Sequence, residues 1–407
     1  MTASLLKHPP FFILWTGSAV SELGGAFGTF SCSILIYEMT ESKAALSSMW
    51  LLYFLPSLLL QLFIGPFIDR WSKKWIMFVS QAARGIVFLL PLLAIFQGSL
   101  QVWHILTVQI IIGLIMPLYV PASQAILPEL IDQEKLETAN AYLDGLLKLM
   151  MFTAPVLGGV AIQFAGTTAV LATTASLYLL SSVFLLVLKE KRKAVKPSST
   201  WIKQFAEGIS FYCSQKTILW LGMFLAVVQF GVGVSMVINL PYITEELSGN
   251  YRDYGYFAAG FPAGYICGAV LAGKLVNANS KYVILLSLLA GGSTYIFLGF
   301  SFSIYLSVFI EAAAGIAMAF FHIYNTSLVQ KIVPQNLMGK VFSVRLFMIR
   351  AAMPAGVAAA GLFSDIIGIR GLFVLIGLII CTASAAGLIL PYFSFLRGEQ
   401  KKESMTK

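Results

Sequence analysis

Apolar runs of about 20 residues recur along this chain from Phe11 to Phe395, separated by short polar joints. A helix rises about 1.5 Å per residue, so each run is long enough to cross about 30 Å of hydrocarbon. Only 11% of the 407 residues are charged and 58% are hydrophobic, whereas soluble domains carry about 25% charged residues. Water cannot cover that much apolar surface. The membrane is therefore the solvent, and the backbone must satisfy its hydrogen bonds within helices. The expected fold class is an all-α polytopic membrane protein with twelve spans, near 11–37, 46–67, 75–97, 102–126, 140–164, 168–188, 218–243, 254–273, 281–300, 303–327, 341–364 and 371–395. The leading MTASLLKHPP is short and the run after it exceeds a signal-peptide core, so the first run reads as a span.

The net charge of +9 could suggest nucleic acid, but its placement argues against that. With both termini on one side, the joints there carry Lys7, Arg70, Lys73, Lys74, Lys135, Lys189 to Lys216, Lys274, Lys281, Lys331, Lys340, Arg345 and the basic tail, against Lys43, Arg252 and Arg370 opposite. That asymmetry is the positive-inside signature, and it puts both termini in the cytoplasm. One joint, Glu129 to Glu137, is acidic against the trend. The cysteines, Cys32, Cys213, Cys267 and Cys381, show no CxxC spacing, so neither a metal site nor a disulfide framework is expected.

The longest polar interruption divides the chain into 1–188, a first half of six spans; 189–217, a cytoplasmic linker; 218–396, a second half of six; and 397–407, a tail. Within the linker Trp201, Ile202, Phe205, Ile209 and Tyr212 recur at helical spacing, the pattern of an amphipathic helix in the membrane interface. The two halves echo each other. GPFIDRWSKKWI, Gly65 to Ile76, returns as GKLVNANSKYVI, Gly273 to Ile284, and QAILP, Gln124 to Pro128, returns as QKIVP, Gln330 to Pro334. Internal duplication of this kind builds alternating-access transporters, which hold substrate near the midplane where the repeats meet.

The first of these segments resembles the signature of the major facilitator superfamily between its second and third helices, through Gly65, Asp69, Arg70, Lys73 and Lys74. PASQAILPELIDQEKLETANAYL, FAEGISFYCSQKTIL and QKIVPQNLMGKVFSV are similar to the branch containing the macrolide-efflux proteins and the enterobactin exporter. The resemblance implies that Gly65, Asp69, Arg70, Lys73 and Lys74 form a latch between conformations. The antiporter motif of the fifth span is reduced to APVLGG, keeping Pro155, Gly158 and Gly159 but with Met150 and Ala154 where glycines are usual.

Ionisable residues inside spans cost about 2.5 to 3.5 kcal/mol each and mark candidate functional sites. Glu22 and Glu311 stand near midspan, as do Arg84 and Arg350; Asp144 and Lys148 stand four apart in the fifth span and could pair. In the family fold spans one, four, seven and ten line the central cavity, which puts both glutamates on lining helices. Helical spacing adds polar and thioether neighbours: Ser18 and Thr29 with Glu22; Gln109 and Met116 in the fourth span; Gln229, Met236 and Asn239 in the seventh; Met318, His322 and Asn325 beyond Glu311. A carboxylate held out of water there can exchange a proton or a cationic substrate. Glu22, Glu311 and His322 are accordingly the coupling candidates, and static pairs of Glu22 with Arg84 and of Glu311 with Arg350 are the structural alternative.

The expected activity is a proton-coupled exporter of a lipophilic or amphipathic small molecule, a drug, macrolide or siderophore, working as a monomer among lipids in a bacterial cytoplasmic membrane. A lysophospholipid flippase and a transport-inactive sensor are the alternatives. No cofactor or metal is expected, and the absence of a phosphate loop, HExxH or nucleophile elbow argues against an enzyme.

Overall fold

The structure, a computed structural model, describes residues 5–132, 135–188, 190, 201–273, 280–334 and 337–390. Among them every regular element is helical: α1 Pro9–Thr40, α2 Lys43–Arg70, α3 Lys73–Phe96, α4 Val102–Leu130, α5 Leu136–Leu186, α6 Trp201–Ser214, α7 Lys216–Pro241, a π-helical turn Tyr242–Glu246, α8 Tyr251–Ala272, α9 Ser280–Phe300, α10 Ile304–Ile332, α11 Met338–Ile367 and α12 Ile369–Ile389. Eleven are long and apolar enough to cross a membrane. The twelfth crossing is inside α5, whose 51 residues break at Gly166 (φ 79, ψ 162), where the sequence places the joint between the fifth and sixth spans. Phe164, Phe302, Phe309 and Ile366 stay largely exposed, as expected of faces solvated by lipid rather than water.

Local chemistry sets several ends. Pro9 and Pro10 open α1, where a missing N–H is harmless, and Glu41 closes it in the left-handed region with its N–H on the Tyr37 carbonyl. At α4 the side chains of Gln101 and His104 cap each other's backbone reciprocally. Gly368 precedes α12 with φ 78 and ψ 159, nearly the conformation of Gly166. That backbone region belongs essentially to glycine. The two breaks sit at the same joint of each half, a third echo of the duplication and one that the sequence comparison did not contain.

The helices gather into two compact units: Met1–Ser198 with Asn239–Ala259, and Ser199–Ile238 with Gly260–Lys407. In the first, α1 and α3 pack along α5 and α2 along α4, over a core in which Phe11, Met77, Ile126 and Leu185 are fully buried. In the second, α9 contacts α10 and α12, and α6 lies on α11. The amphipathic reading of α6 meets this packing: Tyr212 is buried and Ile209 is exposed. The linker residues 191–200, residues 274–279 within the second-half echo and the tail 397–407 lie outside the described residues.

Candidate functional site

In the first unit the side chains of interest converge from α1, α3, α4 and α5. Gln81 and Arg84, one turn apart on α3, are both buried. The Gln81 amide donates to the Ser21 hydroxyl at 2.6 Å, beside Glu22. Arg84 donates to the Met116 sulfur at 2.8 Å. Its guanidinium lies 4.9 Å from the Tyr119 ring and 5.6 Å from that of Tyr178, the geometry of cation–π attraction in a desolvated place. Its charge also acts on Glu22, although the two make no direct ion pair. Arg84 Nε and Gln109 Nε2 are buried without a hydrogen-bond partner. A buried donor left without a hydrogen-bond partner costs free energy.

The motif residues of α5 form a helix crossing. A side chain at Gly159 would meet the Tyr251 carbonyl at 2.6 Å and the Gly255 Cα at 3.0 Å, and one at Gly255 would meet the Pro155 carbonyl at 2.7 Å. Gly158 faces Phe27 and Phe30 less tightly. The same unit joins α1 and α2 to the π-helical turn Tyr242–Glu246 and α8 through the Tyr251 hydroxyl donating to Glu38 at 2.6 Å, Lys43 paired with Glu245 at 3.3 Å, and Phe30 stacked on Tyr254 at 4.5 Å.

In the second unit Glu311 of α10 faces α8, where a Cβ at Gly260 would lie 3.1 Å from its own. Gly264 and Gly268 continue that seam against the backbone of Ala312 and Ile316, the close approach that small residues allow between membrane helices. Glu311 acts on Tyr295, whose hydroxyl accepts from Ser235 at 3.4 Å, and it makes no ion pair among the described residues. Arg350 is half-buried on α11.

Asn325 and His322, both on α10, have partners of their own. Asn325 is fully buried, its amide donating to the Leu221 carbonyl at 3.1 Å and its oxygen accepting from Arg345 at 2.9 Å. It therefore ties α7, α10 and α11 together instead of facing a cavity. His322 is exposed and shares a 3.2 Å hydrogen bond with the Tyr265 hydroxyl. Arg345, which the sequence counts among the joint charges, is instead 4% exposed inside α11. Ser18, Thr29, Met116, Gln229, Met236, Asn239 and Met318 are all half-buried.

Of the latch residues, the side chains of Gly65, Asp69 and Arg70 lie outside the described residues, as does Lys148 beside an exposed Asp144. Lys73 pairs with Glu129 of α4 at 2.7 Å, which gives the anomalous acidic joint a partner. Sequence reasoning missed Tyr119, Tyr178 and Arg345. Nothing in helical spacing distinguishes a tyrosine that cradles a cation from one that fills a core.

The sequence family described as transmembrane secretion effector matches residues 2–405. The chain belongs to the major facilitator superfamily. Macrolide efflux protein A of Streptococcus pyogenes is 26% identical, covering 93% of this chain and 95% of its own. The MFS-type transporter YvqJ of Bacillus subtilis (strain 168) is 23% identical over 92% of this chain and 90% of its own. Among solved structures the nucleoside transporter NupG superposes with a TM-score of 0.74 at 13% identity, covering 93% of this chain and 98% of that one. A bacterial homologue of the iron transporter ferroportin, in its inward-facing state, gives 0.73 at 15%, covering 92% and 98%. This major facilitator chain is thus a multi-pass membrane transporter of small molecules and not an enzyme.

Proposed function

We propose that this transporter exports a lipophilic or amphipathic small molecule of the macrolide or drug type from a bacterial cytoplasm in exchange for protons, as a monomer with both termini in the cytoplasm. The direction and substrate class draw on the nearly full-length similarity to macrolide efflux protein A. The coupling is carried by one observation: Glu311, a carboxylate within a span, has no ion-pair partner among the described residues. Such a group must trade its charge for a proton or take a cationic substrate, since the membrane offers it no counter-charge. In the first unit Glu22, with Arg84 within electrostatic reach, is the second coupling candidate. Met116 in the first unit, and Met236 and Met318 in the second, are thioethers suited to soft, adaptable contact with an apolar ligand. The Lys73 and Lys74 end of the signature acts as a conformational latch.

The test uses everted membrane vesicles energised by respiration. Addition of macrolides, cationic dyes or siderophores is expected to collapse the pH gradient in wild type, and Glu311→Gln is expected to abolish the response. A wild type that moves labelled macrolide with no response to an uncoupler overturns the coupling.

A lysophospholipid flippase is the second reading. It is favoured by an apolar groove of about 410 Å³ between α9 and α10, lined by Leu286, Ser287, Ala290, Ala313, Ala317 and Phe320. Competition by lysolipid without gradient collapse would select it.

A further inference from the structure

The first turn of α3 begins inside the signature segment, and its amides are satisfied by two different residues. A helix start leaves four backbone N–H groups without intrahelical partners. Ser72, the N-cap, takes care of one: its hydroxyl accepts from Trp75 N at 3.3 Å. Lys73 N and Lys74 N would remain bare, yet both donate to the carboxylate of Glu190, at 2.9 and 3.4 Å, and the Ser72 hydroxyl donates to it as well. Glu190 lies just beyond α5, where the linker begins. A carboxylate at a helix N-terminus gains from both the aligned peptide dipoles and charge-assisted bonding.

We propose that Glu190 is the positioning residue of the latch: it caps α3 across the fold and thereby fixes where Lys73 and Lys74 project. Lys73 is then free to reach Glu129 on α4, so one carboxylate from the end of α5 and one from the end of α4 hold the basic end of the signature from two sides. The charged group facing Glu190 is Lys73 of α3, with Glu129 of α4 behind it, while Lys74 reaches Glu190 through its backbone N–H. Burial alone would push the Glu190 carboxyl up, but the Ser72 hydroxyl, the Lys73 and Lys74 amides and the Lys73 charge together hold it below the ordinary carboxylate range. The cap therefore persists through neutral pH. This inference rests on the transporter reading only for the word latch; the capping itself does not need it.

Backbone hydrogen exchange of the full-length protein in nanodiscs, followed by mass spectrometry, tests the cap without any substrate. In Glu190→Gln the segment 72–76 is expected to exchange about tenfold faster, with α10 unchanged. In wild type the protection of that segment is expected to fall as pH drops through the Glu190 carboxyl, after correction for intrinsic rates, while the Gln variant shows no such step. Equal protection in wild type and Glu190→Gln, or a pH step that survives in the variant, overturns the proposal. Erythromycin export measured on the same proteins separates the two readings. A wild type that shows the protection but no export leaves the cap standing and removes the transport role.

Discussion

Arg84 in the first unit and Arg345 in the second are both guanidiniums buried inside a membrane protein, and among the described residues neither makes an ion pair with an acid. Arg84 is held by a sulfur and two aromatic faces, with a bare Nε and Glu22 within electrostatic reach. Arg345 is held by the Asn325 oxygen at 2.9 Å and the Thr326 hydroxyl at 3.2 Å, and Asn325 passes the connection on to α7. Soft contacts tolerate rearrangement, whereas directional hydrogen bonds between helices do not. The contrast separates a guanidinium in soft surroundings from one that fastens helices together through directional bonds. The carboxylates differ in the opposite sense: Glu22 has a nearby cation, while Glu311 makes no ion pair among the described residues and lies within electrostatic reach of Tyr295 and against Gly260.

The largest expected effect tests that second difference. Glu311→Gln should reduce proton-coupled transport on the order of a hundredfold, the scale of losing a proton-carrying group, while Glu22→Gln should reduce it less, because Arg84 remains to bind an anionic partner. Gradient-collapse rates in vesicles measure both, and the reverse ranking would exchange their roles. Next comes stability. Arg345→Met should cost about 3 kcal/mol, since it strands the Asn325 oxygen in a buried place, and Arg84→Met about 1 kcal/mol, since methionine can pack against Met116 and the tyrosines. Thermal unfolding in detergent would show equal losses if the contrast is empty.

Smaller again are the two joint glycines. Gly166→Ala and Gly368→Ala should each cost about 1 to 2 kcal/mol through backbone strain, and a loss at one site alone would break their equivalence. Smallest is the pH term of Glu190. Its folded carboxyl sits below the ordinary value, so its contribution is present above about pH 4.3 and is lost as pH falls through the folded value. At a half-exposed site this should stay under about 1 kcal/mol, read as the difference in acid unfolding between wild type and Glu190→Gln.

The spans were legible because bilayer thickness converts directly into run length, and the signature segment because its charges stand out from an apolar chain. Asn325 was misplaced for a physical reason. Helical periodicity says which residues share a face, but not which neighbouring helix covers that face. Arg345 was counted as a joint charge since sequence cannot tell the last exposed turn of a helix from the first buried one. Glu190 was overlooked because its partners lie more than a hundred positions away, at the end of a different helix. The seam of Gly260, Gly264 and Gly268 was readable, four residues apart on one face, and it packs as that spacing implies.

Gly166 and Gly368 have one more consequence. A Cβ built at either position meets nothing within 4 Å, so what excludes other residues there is not bulk but handedness. Their φ values near +80 are comfortable for a D-amino acid. A semisynthetic chain carrying D-alanine at position 166 should keep the fold and, with fewer conformations open to it when unfolded, gain stability where L-alanine loses it. The joints of this transporter read chirality.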